Sequence, residues 1–586
     1  MELAEYTINN QKDYILEELY KRKPDVLCFS CYIWNIDYVT DIAREYKKLC
    51  PSVPIWVGGP EVSYEVEAFL RENPYIDGVM IGEGEDTFRE LCGYYAHKRK
   101  LSDIAGIAFR KNSTGNSTSV NNIGGNKAGE IVFTSPRPIK NMSEIPFCYD
   151  TLDDFSNRII YYESSRGCPF SCSYCLSSVD KTLRFRDTEI VKRELKFFID
   201  QKVPQIKFVD RTFNCNHAHA MELWRFIKAN DNGVTNFHFE ISADLLNQEE
   251  LELISDMRPG LIQLEIGVQS TNEVTIKEIH RTMKLERLKE VVRLIQSGNN
   301  IHEHLDLIAG LPYEDYDSFG RSFDEIYELK PNQLQLGFLK VLKGSYMFEH
   351  ATEYGIVYHD KPPYEVMSTK WLSFDDVIKI KRVEEMLEVY YNSGQFEITM
   401  KLMECIFDSA FEFFQELGDF YEANGYFGMS HSRIRRCEIL LEFLALYLHG
   451  CDSDAITSVV LSEKAGDRDN TDFDENAIDR DNTDFDENAQ IYSMIQESLI
   501  FDLYYRENCK SRPRWAADIG SFKHMTHAYC KNGKLSHVEP FHYIFPDKHT
   551  RKLDELPKYH KEPVWALFHY DMRDPLDHQA LVEYIE

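Results

Sequence analysis

The chain has 586 residues and a formal net charge of −31 at pH 7. That length is too great for one core and predicts several domains. The negative balance argues against a nucleic-acid surface, because phosphates demand clustered Lys and Arg. No apolar run approaches the roughly 20 residues that span a bilayer. Fourteen cysteines behind a start, Met1-Glu-Leu-Ala-Glu5, that carries no secretion signal predict a reducing cytoplasm rather than disulfides.

Residues 1–135 read as alternating strands and helices. A strand is expected at Leu3–Ile8, a helix at Lys12–Arg22, and a buried strand at Asp25–Ser30. A helix at Tyr38–Lys48 follows, then strand Pro54–Val57 running into Gly58-Gly59-Pro60. A helix at Ser63–Glu72 leads to strand Gly78–Ile81 and the turn Gly82-Glu83-Gly84-Glu85. Such alternation implies a parallel sheet that takes ligands at its strand carboxyl ends, where glycines let a bulky group approach. Glycine turns alone are weak evidence, because tight strand-to-helix loops need glycine anyway. Ala105–Arg110 and Glu130–Thr134 read as a hairpin around a flexible Ser/Asn/Gly-rich loop. Asn112-Ser-Thr114 and Asn116-Ser-Thr118 in that loop match a glycosylation acceptor only by chance, without a secretion signal. Residues 136–157 read as a linker.

From Arg158 strands recur at Ile159–Glu163, Gln205–Asp210, Asn236–Ser242, Leu261–Val268, His304–Ile308 and Gln333–Val341. Helical stretches between them predict a partial (β/α)6 barrel over 158–348, with its chemistry at the strand carboxyl ends. The loop after the first strand carries Cys168, Cys172 and Cys175, spaced C-x3-C-x2-C. Three thiolates from one tight loop suit three irons of a 4Fe-4S cluster and leave the fourth open. A zinc site wants four ligands in paired spacing, and the other C-x2-C, Cys28 to Cys31, straddles the end of an apolar strand. Core cysteines would not normally cluster three in eight residues.

The run Glu163-Ser-Ser-Arg-Gly-Cys-Pro-Phe-Ser-Cys-Ser-Tyr-Cys175 resembles the radical SAM superfamily. In that superfamily the open iron chelates S-adenosylmethionine (SAM), and cluster reduction yields a 5′-deoxyadenosyl radical. Gly267-Val-Gln-Ser270, Arg281 and Asp306-Leu-Ile-Ala-Gly-Leu-Pro312 resemble oxygen-independent coproporphyrinogen oxidases and their relatives. That likeness implies SAM contacts from Glu240, Gln269, Arg281 and Asp306; Tyr174, in the cysteine run, and Asp210, a polar strand end, are further SAM-binding candidates. Guanidinium and carboxylate groups suit the carboxylate, ammonium and ribose of such a ligand. Upstream, "CFSCYIWN", "VGGPEVS" and "IGEGEDTF" look like the cobalamin-binding domain of cobalamin-dependent radical SAM enzymes. The resemblance implies that Ser30, Tyr32, Gly58, Gly59, Gly82, Glu83 and Gly84 line a corrin. It implies a Rossmann-like, flavodoxin-like domain, here truncated because no opening strand is found before Glu2. No Asp-x-His-x-x-Gly occurs, so no imidazole would ligate the cobalt.

Residues 349–586 turn to helical periodicity and predict a mainly α-helical carboxyl-terminal domain. Helices are expected after a cap at Ser373, over Glu397–Leu417 and over Ser432–His449, with Phe407, Phe411, Phe413 and Phe414 in the core. The arrangement resembles a carboxyl-terminal module found on some cobalamin-type radical SAM proteins. Within it, Asp467-Arg-Asp-Asn-Thr-Asp-Phe-Asp-Glu-Asn-Ala477 repeats at Asp479–Ala489. The repeat lacks the glycine and glutamate of a calcium loop, so 464–490 is expected to be a disordered acidic insertion. The whole reads as an anaerobic cytoplasmic enzyme holding a 4Fe-4S cluster, SAM and cobalamin, and methylating an unactivated carbon. A radical SAM oxidoreductase or rearrangement enzyme is the alternative; a non-catalytic iron–sulfur protein is the third reading. Its partners would be a small-molecule or peptide substrate and an electron donor such as flavodoxin or ferredoxin, with neither nucleic acid nor membrane involved.

Overall fold

The computed structural model describes residues 1–111, 130–155, 158–449, 483–510 and 512–585, apart from 517, 531–534, 547–549 and 554. The first sheet holds three parallel strands, β1 (Leu27–Ser30), β2 (Ile55–Gly58) and β3 (Gly78–Met80). It continues antiparallel through β4 (Ile107–Arg110) and β5 (Ile131–Phe133), in the order β1-β2-β3-β4-β5. The helices Lys12–Arg22 and Ile36–Leu49 cover it, burying Leu19, Ile42, Ala43 and Tyr46 with Leu27, Ile55 and Val57. Gly78 has to be glycine, because a Cβ there would run into the buried Trp56 ring.

The expected strand at Leu3–Ile8 is not formed; the segment is irregular. A strand needs a neighbour for its backbone groups, and among the described residues the sheet ends at β1, which pairs only with β2. The hairpin β4–β5 stands where its two arms were expected, and its loop, with both acceptor matches, lies outside the described residues.

The second sheet opens with β6 (Ile160–Tyr162). A small ribbon of β7 (Ser165–Arg166) and β8 (Arg184–Phe185) brackets the cysteine loop. The sheet continues with β9 (Gln205–Phe208), β10 (Asn236–Ile241), β11 (Ile262–Gln269), β12 (His302–Ala309) and β13 (Gln333–Phe338). The order is β13-β12-β11-β10-β9-β6, parallel throughout, which is the open six-stranded barrel the spacing predicts. Alternation sorts each strand's side chains. Phe237, Phe239, Leu264, Ile266, Leu305 and Leu307 are buried in the core under the helices. Lys207, His238, Glu240, Glu265, His304 and Asp306 take the intervening positions, giving the barrel a polar inner wall.

After the ribbon β14 (Val357–Tyr358) and β15 (Val366–Ser368), helices Phe374–Leu387, Glu397–Ile406, Ala410–Ala423, Arg433–His449 and Thr483–Arg506 follow. Ser373 caps the first in a box with Asp376. The single helix expected over Glu397–Leu417 is two. Barrel residue Asp324 accepts from Ser409 Oγ at 2.7 Å and Phe411 N at 2.8 Å. Ser409 in turn caps the second helix by accepting from Glu412 N, so this anchor breaks the run. Phe411 packs on Phe319 and Phe323, so the aromatic stripe is core, as expected.

The expected disordered insertion needs trimming at its end: residues 483–490 open the helix Thr483–Arg506. Glu487 sits in its first turns, where the helix dipole favours acids. The rest of the insertion lies outside the described residues. The chain closes with an antiparallel sheet, β16 (Ser536–Phe541), β17 (Val564–His569) and β18 (Leu581–Ile585), which helical periodicity did not anticipate. The barrel and the carboxyl-terminal helices share one core, whereas the first sheet keeps its own.

Candidate functional site

A cavity of about 190 Å³ opens at the carboxyl ends of the barrel strands. Cys168, Cys172 and Cys175 line it together with Tyr174, Glu240, Gln269, Arg281 and Asp306. The cysteine loop is fixed by its backbone: Ser173 N donates to Ile279 O at 2.9 Å, and Met347 N donates to Ser173 O at 2.9 Å. Gly167 adopts φ +91° and packs on the Thr182 carbonyl, which leaves no room for a side chain.

Arg281 organises the cavity. Its guanidinium donates to the Gly267 carbonyl, lies 3.4 Å from the Tyr174 hydroxyl and 3.9 Å from Cys172 Sγ, and leaves Nε buried without a partner. A fixed cation beside a thiol favours the thiolate. Gly267 makes this reach possible, because a Cβ there would collide with the Gln269 amide and stand 3.4 Å from Arg281 Nη2. Between Gly267 and Gln269 the β11–β12 register slips, and Gln269 takes φ +76°, a left-handed backbone that re-aims its side chain into the cavity.

Deeper in the wall stands a carboxylate that strand-end reasoning missed. Glu265 accepts from Lys207 at 2.9 Å and faces His238 at 3.0 Å; that pairing, His238 foremost, holds it down to about 2. Its charge and burial act on the two carboxyls beside it. Burial first, then Glu265, pushes Glu240 up to about 7. Asp306 is pushed well above the usual range by burial and then by the carboxylates of Glu265 and Glu240, and among the described residues its Oδ1 has only the distant His304 Nε2, at 3.4 Å, beside it. The cavity thus presents carboxyls whose ionised form a nearby cation would favour. The signal for Glu265 was legible as the alternation Gln263, Glu265, Gly267, Gln269 along one strand. Ser242, a polar strand end, also lines the cavity, with Arg211 and Thr212, which were not anticipated.

Asp210 corrects the reading. It is fully buried and does not line the cavity. Its carboxylate accepts from Ser164 N at 2.9 Å, Ser164 Oγ at 2.6 Å and Ser165 Oγ at 2.5 Å, tying the cysteine loop's root to β9. Among the described residues no three His, Cys, Asp or Glu side chains converge on a single metal ion. That is compatible with a cluster, whose thiolates each take a different iron.

The loops after β2 and β3 turn towards the barrel. Arg166, two residues before Cys168, meets Glu85 at 2.8 Å and Glu83 at 3.3 Å. Arg184 meets Glu83 at 2.6 Å, and Tyr364 donates to Glu61. The carboxyl ends of the two sheets therefore face each other. Glu83, expected against a corrin, spends its carboxylate on this clasp, which outweighs burial and holds it below its ordinary range. Gly82, at φ +77°, and Gly84 face open space, with nothing within 4 Å of an added Cβ. Gly59, at φ +120°, and Gly58 are packed instead on Cys31 and Met80, so close packing alone accounts for them. Ser30 is exposed at the end of β1, and Tyr32 stacks on the exposed Trp34 with centroids 4.5 Å apart.

Comparison with known proteins agrees with this geometry. The B12 binding domain family matches residues 2–92, the radical SAM superfamily 162–326, and the protein of unknown function DUF4080 family 352–579. The cobalamin-dependent radical SAM methyltransferase TokK of Streptomyces tokunonensis is 27% identical over 52% of this chain and 45% of its own length. An uncharacterised methyltransferase of Pyrococcus horikoshii is 24% identical over 62% of this chain and 75% of its own. An anaerobic magnesium-protoporphyrin IX monomethyl ester cyclase of Rubrivivax gelatinosus is 22% identical over 55% and 57%. The chain spans less than half the length of the first of these relatives. The apo cobalamin-dependent radical enzyme OxsB has a similar fold, with a TM-score of 0.51 at 16% identity, over 85% of this chain and 74% of that one.

These domains imply a 4Fe-4S cluster, SAM and cobalamin, and the residues present fit them. Three free cysteines share one cavity with a buried guanidinium nitrogen of Arg281 that has no partner among the described residues, and with the carboxyl of Asp306. The glycine turn Gly82–Gly84 and the Tyr32–Trp34 stack leave an open cradle at the facing sheet end. The chain carries, in order, a stretch that matches the B12 binding domain family, a barrel that matches the radical SAM superfamily, and a carboxyl-terminal region that matches the DUF4080 family.

Proposed function

We propose that the chain is a radical SAM enzyme acting as a cobalamin-dependent methyltransferase on an unactivated carbon of a small-molecule or peptide substrate. The observation that carries this is the Arg166 clasp: the residue that opens the cysteine loop is ion-paired to Glu83 and Glu85 in the turn of the B12 binding domain. That contact supports a reading in which the two cofactor surfaces would face each other.

Cys168, Cys172 and Cys175 would hold the cluster. Arg281 would receive the SAM carboxylate, Glu240 its ammonium, and Gln269 and Asp306 its ribose. Tyr174 backs Arg281, and Glu265 keeps the wall negative. Tyr32, Gly82 and Gly84 would border the corrin, with Ser30, Gly58 and Gly59 shaping the turns behind them. When bound, the reduced cluster supplies the electron that cleaves SAM and cobalamin supplies the methyl group. The protein's part is orientation and exclusion of water. An external one-electron donor such as a flavodoxin or ferredoxin in an anaerobic cytoplasm would complete the system.

A second reading is favoured by one relative: the Rubrivivax protein is named a cyclase, not a methyltransferase. The same residues would then prepare ring formation without methyl transfer. Anaerobic turnover with SAM, cobalamin, reductant and candidate substrates decides. Substrate-dependent formation of both S-adenosylhomocysteine and 5′-deoxyadenosine supports methylation; 5′-deoxyadenosine alone supports the second reading. No SAM cleavage by iron-replete, reduced protein would overturn both.

A further inference from the structure

On a chain with a net charge of −31, one cleft of about 650 Å³ collects four guanidiniums, those of Arg433, Arg436, Arg506 and Arg573, with His578 at its edge. They come from three separate stretches: the start of helix Arg433–His449, the end of helix Thr483–Arg506, and the turn before β18. Glu507 and Asp577 also line the cleft. Among the described residues, the ion pair to these arginines is a long one, Glu507 at 3.7 Å from Arg433, whose charge is also felt by the buried Asp502.

The arginines are held by carbonyls rather than by acids. Arg433 donates to Asp502 O at 2.6 Å and Gln395 O at 3.0 Å, and its Nε is buried without a partner. Arg573 donates to the carbonyls of Arg506 and His578, and Arg506 to that of Gly394. The Arg436 guanidinium makes no hydrogen bond or ion pair within the described residues. Carbonyl bonds orient a guanidinium without neutralising it, so the charge stays available.

Arg433 and Arg436 also stand where a helix does not want them. The first turn of Arg433–His449 contains no acid, and cations there oppose the helix dipole. Arg435, in the same turn, has Glu442 at 2.7 Å and Glu438 at 3.2 Å as counter-charges. Arg436 has none. An anion seated between the arginines would meet both the helix end and the forked donors, and a phosphate oxyanion matches such forks best.

The cleft lies away from the cysteine cavity. Arg506, Asp577 and His578 also line a neighbouring cavity of about 410 Å³ that reaches His302, Asn332 and Gln333 at the amino ends of the barrel strands. The reacting face is at the opposite strand ends. We propose that this arginine cleft binds a phosphate- or diphosphate-bearing small molecule at a site distinct from the SAM cavity. The inference does not depend on the proposed methyl transfer.

Titration of the full-length, iron-replete protein with inorganic pyrophosphate by calorimetry tests it, with succinate as the carboxylate control. Saturable binding at submillimolar pyrophosphate, weakening as salt rises, is the expected result. Arg436→Met with Arg573→Met should lose at least about tenfold in affinity, since charge-assisted contacts are the strong ones. Neither residue packs the core, and an unchanged melting temperature and iron content would show the variant folded. No saturable binding, succinate binding as tightly as pyrophosphate, or a folded double variant with full affinity would overturn the proposal.

Discussion

Gly267 and Asp210 separate two kinds of polar-site residue. Gly267→Ala places a methyl against the Gln269 amide and beside Arg281, so both donors must move. SAM affinity is expected to fall by about tenfold or more, equivalent to ~1.4 kcal/mol or more, with iron content unchanged. Equilibrium dialysis under anaerobic conditions measures it. Asp210→Asn, by contrast, weakens the three bonds to Ser164 and Ser165. It should lower stability by about 2 kcal/mol, as hydrogen bonds to a charged group do, and leave SAM affinity of the folded fraction intact. At this scale the sequence was informative where a motif fixes a position, as for Tyr174, Gln269 and Arg281. It was uninformative for Asp210, because a polar strand end does not say which neighbour it meets. The Ser164–Ser165 clamp is formed across strands 45 residues apart.

Elements were legible where periodicity stands alone and illegible where a partner decides. The six barrel strands follow from spacing and apolar runs. Leu3–Ile8 has strand composition but no neighbouring strand, and the break after Ile406 is set by Asp324 on a distant helix. Strand β12 also contains a group that no composition reveals. Glu303 is fully buried, with only the Gln296 side chain and the Arg551 charge acting to keep it ionised. Burial pushes it from its ordinary 4.5 up to about 8. A raised carboxyl binds its proton more tightly in the fold than in the unfolded chain. Its contribution is therefore greatest below 4.5 and is lost as pH rises through about 8. Glu303→Gln should remove that dependence, so the variant's melting temperature should overtake wild type as pH rises from 5 to 8. Parallel pH curves for the two proteins would refute the assignment.

Across the whole molecule, the barrel and the DUF4080 helices share a core and behave as one body, whereas the B12 binding domain is attached mainly through polar contacts. Ion pairs that are only partly exposed, as here, hold register more than they stabilise. Replacing Glu83 and Glu85 together by glutamine should loosen the first domain. Limited proteolysis within 136–157 is expected to accelerate several-fold, with iron retained. Equal cleavage rates would show that the clasp does not hold the domains. Sequence foresaw both sheets but not their facing arrangement, because Arg166 and Glu85 are 81 residues apart and belong to different cores. The central claim is that one chain seats a cluster and a corrin across a shared gap. Anaerobic reconstitution with iron, sulfide and hydroxocobalamin, followed by metal analysis of desalted protein, tests it most directly. The account predicts near-stoichiometric cobalt beside about four irons, with Cys172→Ala losing iron and keeping cobalt. Four irons and no cobalt would contradict it.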